Sequence, residues 1–205
     1  MFTENKPYRD FSEFLASRFP YKVQKISINA GFTCPNRDGS KGRGGCTYCN
    51  NQSFSPGYGK PTKTISEQLA DGIDFFSRKY PDMKYLAYFQ SYTNTYDLPE
   101  TLIEKYEEAL SYPGIVGLIV GTRPDCMSEE MLKYFEDLSK RTFVILEYGV
   151  ESTLNKTLER VNRQHTYEDS ADMIIKTANR NIPVGAHMIL GLPGETEEDI
   201  LHHAD

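Results

Sequence analysis

Short apolar runs separated by amphipathic stretches recur along the chain from Val23 onward. Val23–Ile28 alternates apolar and polar positions and predicts a short strand. A helix is predicted from Ser66, where Leu69, Ile73 and Phe76 recur at helical spacing, to a stop at Tyr80-Pro81. The same order then repeats. Residues 85–89 read as a strand, residues 98–110 as a helix halted by Pro113-Gly114, and residues 115–120 as a buried strand. Ser128 is placed to cap a helix carrying Met131, Leu132, Phe135 and Leu138, and residues 142–150 form a fourth strand. A helix from Ser152, another over residues 168–180, and a fifth strand over residues 184–190 complete the pattern.

Strongly apolar strands alternating with helices predict a parallel sheet covered by helices, open or barrel-like, with ligand sites at the C-terminal strand ends. Residues 1–205 are read as a single domain in which residues 1–21 form an N-terminal extension. The pattern stops one helix beyond the fifth strand, at Asp205, which predicts a truncated chain or an incomplete barrel lacking its last repeat.

Composition adds bounds. A chain of 205 residues with 39% hydrophobic content can bury one sizeable core. It has no run of about 18 apolar residues and no apolar signal-peptide core, so a cytoplasmic location without a membrane partner is expected. The net charge of −6 hides an asymmetry: residues 1–63 hold 10 Lys and Arg against 4 Asp and Glu, and the remainder hold 13 against 25. Lys41, Arg43, Lys60 and Lys63 lie in the positive part, which can attract phosphate-rich or carboxylate-rich partners or simply be a solvated surface.

The candidate chemistry sits in that part. Cys34-Pro-Asn-Arg-Asp-Gly-Ser-Lys-Gly-Arg-Gly-Gly-Cys46-Thr-Tyr-Cys49 follows the first predicted strand, on the rim where ligands bind. Four cysteines in a chain this long argue for free thiolates rather than a disulfide scaffold. Soft thiolates suit zinc or an iron–sulfur cluster, and three of them leave one coordination position free. Structural zinc usually takes a fourth Cys or His in a paired arrangement, and only one CxxC is present. Cys126, at the end of the third strand, reads as a small buried apolar residue or as a further ligand. His165, His187, His202 and His203 could join the loop only through the fold. The residues themselves leave cluster, zinc and unligated thiols open.

From about Lys22 onward the chain resembles the radical S-adenosylmethionine (radical SAM) superfamily. The Cys-Pro-Asn-Arg-Asp-Gly…Gly-Gly-Cys-Thr-Tyr-Cys loop resembles one bacterial branch in which the first gap of the usual CxxxCxxC motif is lengthened, here to eleven residues. The segments Glu147-Tyr-Gly-Val-Glu151-Ser and Asn162-Arg163-Gln164-His165-Thr166 resemble the elongator-type and oxygen-independent coproporphyrinogen oxidase branches. The resemblance implies a partial TIM-like (β/α)6 barrel and a [4Fe-4S] cluster on Cys34, Cys46 and Cys49 whose open iron chelates S-adenosylmethionine (SAM). It also implies that Glu151 and Arg163 contact the SAM ribose and carboxylate, that Tyr48 packs beside the adenine, and that the Gly191-Leu-Pro-Gly194 turn holds the adenine. His187 stands where a relative places a SAM-contacting Asp. Where relatives carry a glycine-rich motif for the SAM amino group, this chain reads Phe89-Gln90-Ser91-Tyr92-Thr93, making Gln90, Ser91 and Thr93 the corresponding contacts. Relatives read Glu-Thr-Arg-Pro-Asp after the third strand; here the Glu is Gly121, while Arg123 and Asp125 remain, to orient SAM or substrate or to cap the next helix.

The implied reaction is one-electron reductive cleavage of SAM to methionine and a 5′-deoxyadenosyl radical that removes hydrogen from a substrate. An electron donor of the flavodoxin or ferredoxin type is the implied partner. Transfer RNA, in the specific form of a wobble uridine, is the substrate expected from the resemblance and the basic segment, with Phe54, Tyr58, Tyr92 and Tyr96 as stacking surfaces or ordinary packing aromatics. The alternatives are a small-molecule substrate and a non-catalytic nucleic-acid-binding module knotted by zinc or a cluster.

Overall fold

The computed structural model describes residues 8–51, 53, 55–78, 80 and 82–204. Phe54 and Pro81, both singled out above, lie outside the described residues. The chain runs α1 (Phe11–Arg18), β1 (Val23–Ile28), α2 (Pro35–Asp38), α3 (Ile65–Ser77), β2 (Lys84–Phe89), α4 (Pro99–Ser111) and β3 (Ile115–Thr122). A single 3-10 turn (Pro124–Cys126) leads to α5 (Glu129–Ser139), β4 (Phe143–Glu151), α6 (Asn155–Arg160), α7 (Tyr167–Ala178), β5 (Val184–Met188) and α8 (Glu197–His202).

The five strands are parallel and lie side by side in sequence order. Strand order that follows chain order puts the crossover helices on one face. There Ile26, Phe89, Val120 and Leu146 pack against Leu69 of α3, Tyr106 of α4 and Phe135 of α5 in one buried layer. Burying a side chain such as Phe135 or Leu102 completely contributes about 1.5–3 kcal/mol, and both are 0% exposed. This is the helix-covered parallel sheet expected from the alternating pattern, in the partial TIM-like form that the resemblance implies.

The other face of the sheet carries the functional half of the molecule. At its N-terminal end α1 seals it, with Leu15, Phe14 and Phe19 against Leu86, Ile119, Ile145 and Phe143. The segment read as an extension thus contains a plug. Towards the C-terminal strand ends the same face carries Lys25, Tyr88 and Glu147 and opens to solvent.

Helix boundaries follow their caps. Thr64 and Glu67 form a capping box, which starts α3 at Ile65 rather than Ser66, and Thr166 with Asp169 does the same for α7 at Tyr167. No helix begins at Ser152, because its hydroxyl accepts from the Leu154 amide at 3.2 Å and donates to Glu195 Oε1 at 2.7 Å; α6 starts only at Asn155. The fifth strand ends at Met188, two residues before its expected end.

Candidate functional site

A cavity of about 860 Å³ opens at the C-terminal strand ends. Cys34, Cys46 and Cys49 line one side, and Glu151, Arg163 and His187 come to it from β4, the α6–α7 connection and β5. The cysteine loop is tied to that connection: Asn162 Nδ2 donates to the Gly45 carbonyl at 2.9 Å, and the Thr47 amide donates to the Val161 carbonyl at 3.0 Å. Side-chain nitrogens face the sulfurs. Asn36 Nδ2 is 3.4 Å and Arg163 Nη1 3.7 Å from Cys46 Sγ, while Asn51 Nδ2 is 3.4 Å and Arg37 Nη1 3.8 Å from Cys49 Sγ. Burial and the neighbouring Cys46 push the Cys49 thiol up, and Arg37 opposes them. Donors trained on sulfur suit thiolates that carry negative charge.

Arg163 is 7% exposed and organises the opposite wall. Its Nη2 donates to the Gly149 carbonyl at 2.6 Å and stands 3.4 Å from Glu151 Oε1. Burial works against its charge, but Tyr48, Glu151 and Cys46 raise its pKa above the usual value. Glu151 has a φ of +73° at a register shift between Gly149 and Glu151, an uncommon conformation for a residue with a side chain. A Cβ on Gly149 would stand 2.5 Å from Glu151 Oε1 and 2.7 Å from Arg163 Nη2. Gly149→Ala is therefore expected to push the pair apart and weaken SAM binding about tenfold or more, measured by equilibrium dialysis; unchanged affinity would mean that the pair does not touch the ligand.

Lower in the cavity a second charged group appears, built on Glu147, whose motif alone does not show its partners. Glu147, 5% exposed and opposite Gly121 and Gly185 in the register, receives Lys25 Nζ on Oε1 at 2.9 Å. His187 Nε2 lies 3.1 Å from Oε2, near enough for an ion pair but not aligned as a hydrogen bond, so Oε2 is left without a hydrogen-bond partner. Burial opposes ionisation of Glu147, yet His187, Lys25 and the Tyr88 phenol together hold its pKa down at about 2. The interaction with Glu147 raises the His187 pKa against burial. Two opposite pH limits follow. Stability from the depressed carboxylate is complete above its unfolded pKa of about 4.3 and is lost as pH falls towards 2. Stability from the raised imidazole is complete below its unfolded pKa of about 6.5 and is lost as pH rises through the folded value. Glu147→Gln is therefore expected to lower the melting temperature most near pH 5 to 6 and least below pH 3; a deficit constant across pH would contradict the pairing.

The remaining expected residues divide. Tyr48, Gln90, Thr93 and Arg123 line the cavity, whereas Ser91 and Gly191 do not. Ser91 is buried, its hydroxyl 3.3 Å from that of Ser55. Gly191 belongs to a turn pinned by Glu195, which accepts from the Leu192 amide at 3.1 Å and sits 3.1 Å from His203 Nε2. Arg123 binds Asp125 through two nitrogens at 2.9 Å each, and its Nη1 is buried without a partner. Cys126 does not line the cavity, and burial pushes its thiol up to about 12. His165 is buried, and burial followed by the nearby Arg163 lowers its pKa to about 4, so it is neutral at pH 7.

Two of the basic residues near the cysteines are engaged, Lys41 with Asp125 and Lys63 with Asp71. Tyr58 packs on the helix-side core rather than offering a free face, while Tyr92 is exposed and Tyr96 meets the Ser40 hydroxyl at 2.6 Å. Among the described residues, no three His, Cys, Asp or Glu side chains converge as they would on a single metal ion. None of the described helices is long and apolar enough to cross a membrane.

Comparison with known proteins places this geometry. The family model of the Radical SAM superfamily matches residues 31–205. The chain is 39% identical over 192 residues to the protein YhcC of Escherichia coli (strain K12), covering 93% of this chain and 61% of that protein, so it spans about three fifths of that relative's length. It is 28% identical over 165 residues to a tRNA-2-methylthio-N(6)-dimethylallyladenosine synthase of Thermoanaerobacter sp. (strain X514), covering 78% of this chain and 34% of the synthase. Its fold is similar to that of the archaeal Methanocaldococcus infernus Elp3, with a TM-score of 0.57 at 20% identity, over 86% of this chain and 40% of that one.

Proposed function

Because the chain belongs to the radical SAM superfamily, whose members use a [4Fe-4S] cluster and SAM, we propose that Cys34, Cys46 and Cys49 ligate that cluster and that SAM lies between them and the ends of β4 and β5. The observation that carries this reading is the meeting of three thiols with the Glu151–Arg163 pair in one cavity. The residues fit the group: thiolates are the ligands such clusters take, and nitrogen donors already face two of the sulfurs. Held by Cys34, Cys46 and Cys49, the cluster would supply the one-electron chemistry for reductive cleavage of SAM.

The protein's part is binding, orientation and exclusion of water. Arg163 clamps the SAM carboxylate and Glu151 accepts from the ribose hydroxyls. Tyr48 flanks the adenine, Gln90 and Thr93 hold the amino end, and His187 contacts SAM or substrate. Ser91, buried next to Gln90, and the exposed Gly191 turn, next to the cavity-lining Ile189, act on SAM through these neighbours.

Transfer RNA is the substrate class we favour, supported by the similarity to a tRNA-modifying synthase and the positive balance of residues 1–63. The engagement of Lys41 and Lys63 in ion pairs reduces the number of free phosphate contacts. Two experiments test these readings in turn. Anaerobic reconstitution with iron and sulfide, followed by dithionite and SAM, is expected to yield 5′-deoxyadenosine and methionine; a colourless protein that binds zinc and leaves SAM intact would sink the enzyme reading. Binding of tRNA that weakens steeply between low and physiological salt is expected for an RNA substrate, and no binding at low salt removes it.

A further inference from the structure

We propose that Arg37 is a positioning residue for electron transfer, a fixed cation that raises the reduction potential of the iron–sulfur group beside Cys49; this rests on the reading of the three loop cysteines as its ligands. Arg37 belongs to the stretch between Cys34 and Cys46, and one turn of helix, α2, directs it back across the loop. Its Nη1 comes within 3.8 Å of Cys49 Sγ. Gly45 keeps that path open: its φ is +82°, and a Cβ there would stand 3.1 Å from Arg37 Nη1 and 3.3 Å from Arg37 Cγ. On the other side the guanidinium carbon lies 5.7 Å from the centre of the Tyr92 ring, a cation–π distance.

Tyr92 is itself held in place. Its φ is +64°, and its amide donates to Asn51 Oδ1 at 3.1 Å. Asn51 Nδ2 in turn faces the same Cys49 sulfur at 3.4 Å. Arg37, Tyr92 and Asn51 therefore form one linked set that presents a cation and an amide donor to a single thiol. Among the described residues no carboxylate pairs with Arg37, whereas the charge of Arg163 is shared with Glu151 and the Gly149 carbonyl. A guanidinium stays protonated throughout the working pH range. An electron added to an iron–sulfur group increases negative charge on its sulfurs, so a nearby cation and donors stabilise the reduced form more than the oxidised one.

The test is a potentiometric titration, followed by electron paramagnetic resonance and run without SAM so that any role in holding SAM does not enter. Wild type, Arg37→Gln, Arg37→Lys, Asn51→Ala and Arg43→Gln are reconstituted anaerobically, and iron and sulfide are counted first. Arg37→Gln is expected to retain wild-type iron and to be reduced about tenfold less favourably, which is about 59 mV lower for a one-electron couple. Arg37→Lys should recover part of the shift, and Asn51→Ala should move it in the same direction by less. Arg43→Gln, which removes an equal charge whose guanidinium lies beside Gly39, should leave the potential in place. Wild-type potentials in both Arg37→Gln and Asn51→Ala overturn the proposal, as does an Arg43→Gln shift as large as that of Arg37→Gln. Loss of iron in Arg37→Gln with a wild-type potential in Asn51→Ala makes Arg37 structural and overturns it too. A wild-type protein that takes up no cluster instead overturns the ligand reading beneath it.

Discussion

Cys46→Ala is expected to abolish iron uptake and SAM cleavage together. Of the three loop thiols, Cys46 is the buried one, at 7% exposure, and it receives nitrogen donors from both walls, Asn36 from its own loop and Arg163 from across the cavity. Its removal takes away a ligand and one acceptor of each donor, although Asn36 still reaches the Asn162 carbonyl and Arg163 the Gly149 carbonyl. Outer partners of a metal ligand typically matter by about 10–100-fold, so loss of the ligand itself should exceed that and bring iron to background. The natural control is Cys126→Ala, a thiol outside the cavity. It should keep iron, cleavage and most stability. Iron and activity surviving in Cys46→Ala, or vanishing in Cys126→Ala, would reassign the ligands.

Sequence reading succeeded where one physical signal dominates. β2, β3 and β4 were recognisable because they are apolar on both faces, as strands covered on both sides must be. The loop cysteines likewise reach the cavity at the C-terminal strand ends, where a loop that follows β1 is expected to lie. The plug was harder: α1 places Phe14 and Leu15 on the sheet, but the helix is only eight residues long and follows no strand, so it reads as an extension. Glu147 was visible within its motif, yet its inward direction depends on which parity of β4 faces the cavity, and its neighbours Lys25 and His187 come from two other strands. Arg37 shows the same limit in a loop, since its approach to Cys49 depends on a left-handed glycine and on the Tyr92 ring, which no local pattern couples. Gly191 stands in a recognisable turn that Glu195 holds through the Leu192 amide, and it is exposed just past Met188 and Ile189, which line the cavity.

Arg163→Met should be the most damaging single change outside the cysteines, acting on stability and ligand binding at once. Methionine keeps much of the volume but offers nothing to the Gly149 carbonyl, the Glu151 carboxylate or the Cys46 sulfur, all of which the guanidinium now serves. Glu151 is left with its side chain 12% exposed and its cation gone. Removing one partner of a buried pair costs about 3–5 kcal/mol, a large share of the 5–15 kcal/mol that holds a domain together, so the unfolding midpoint should fall sharply. Because so large a loss can hide a binding defect, Arg163→Lys is the informative companion. An ammonium restores the charge as a compact point, and it lacks the planar fork that reaches three acceptors in different directions. Arg163→Lys is therefore expected to regain most of the stability while SAM affinity stays at least about tenfold weak, the loss of one charge-assisted bond. Equilibrium dialysis alongside denaturant unfolding separates the two effects: if lysine restores both equally, Arg163 is a structural cation, and if it restores stability alone, the fork is what the ligand reads.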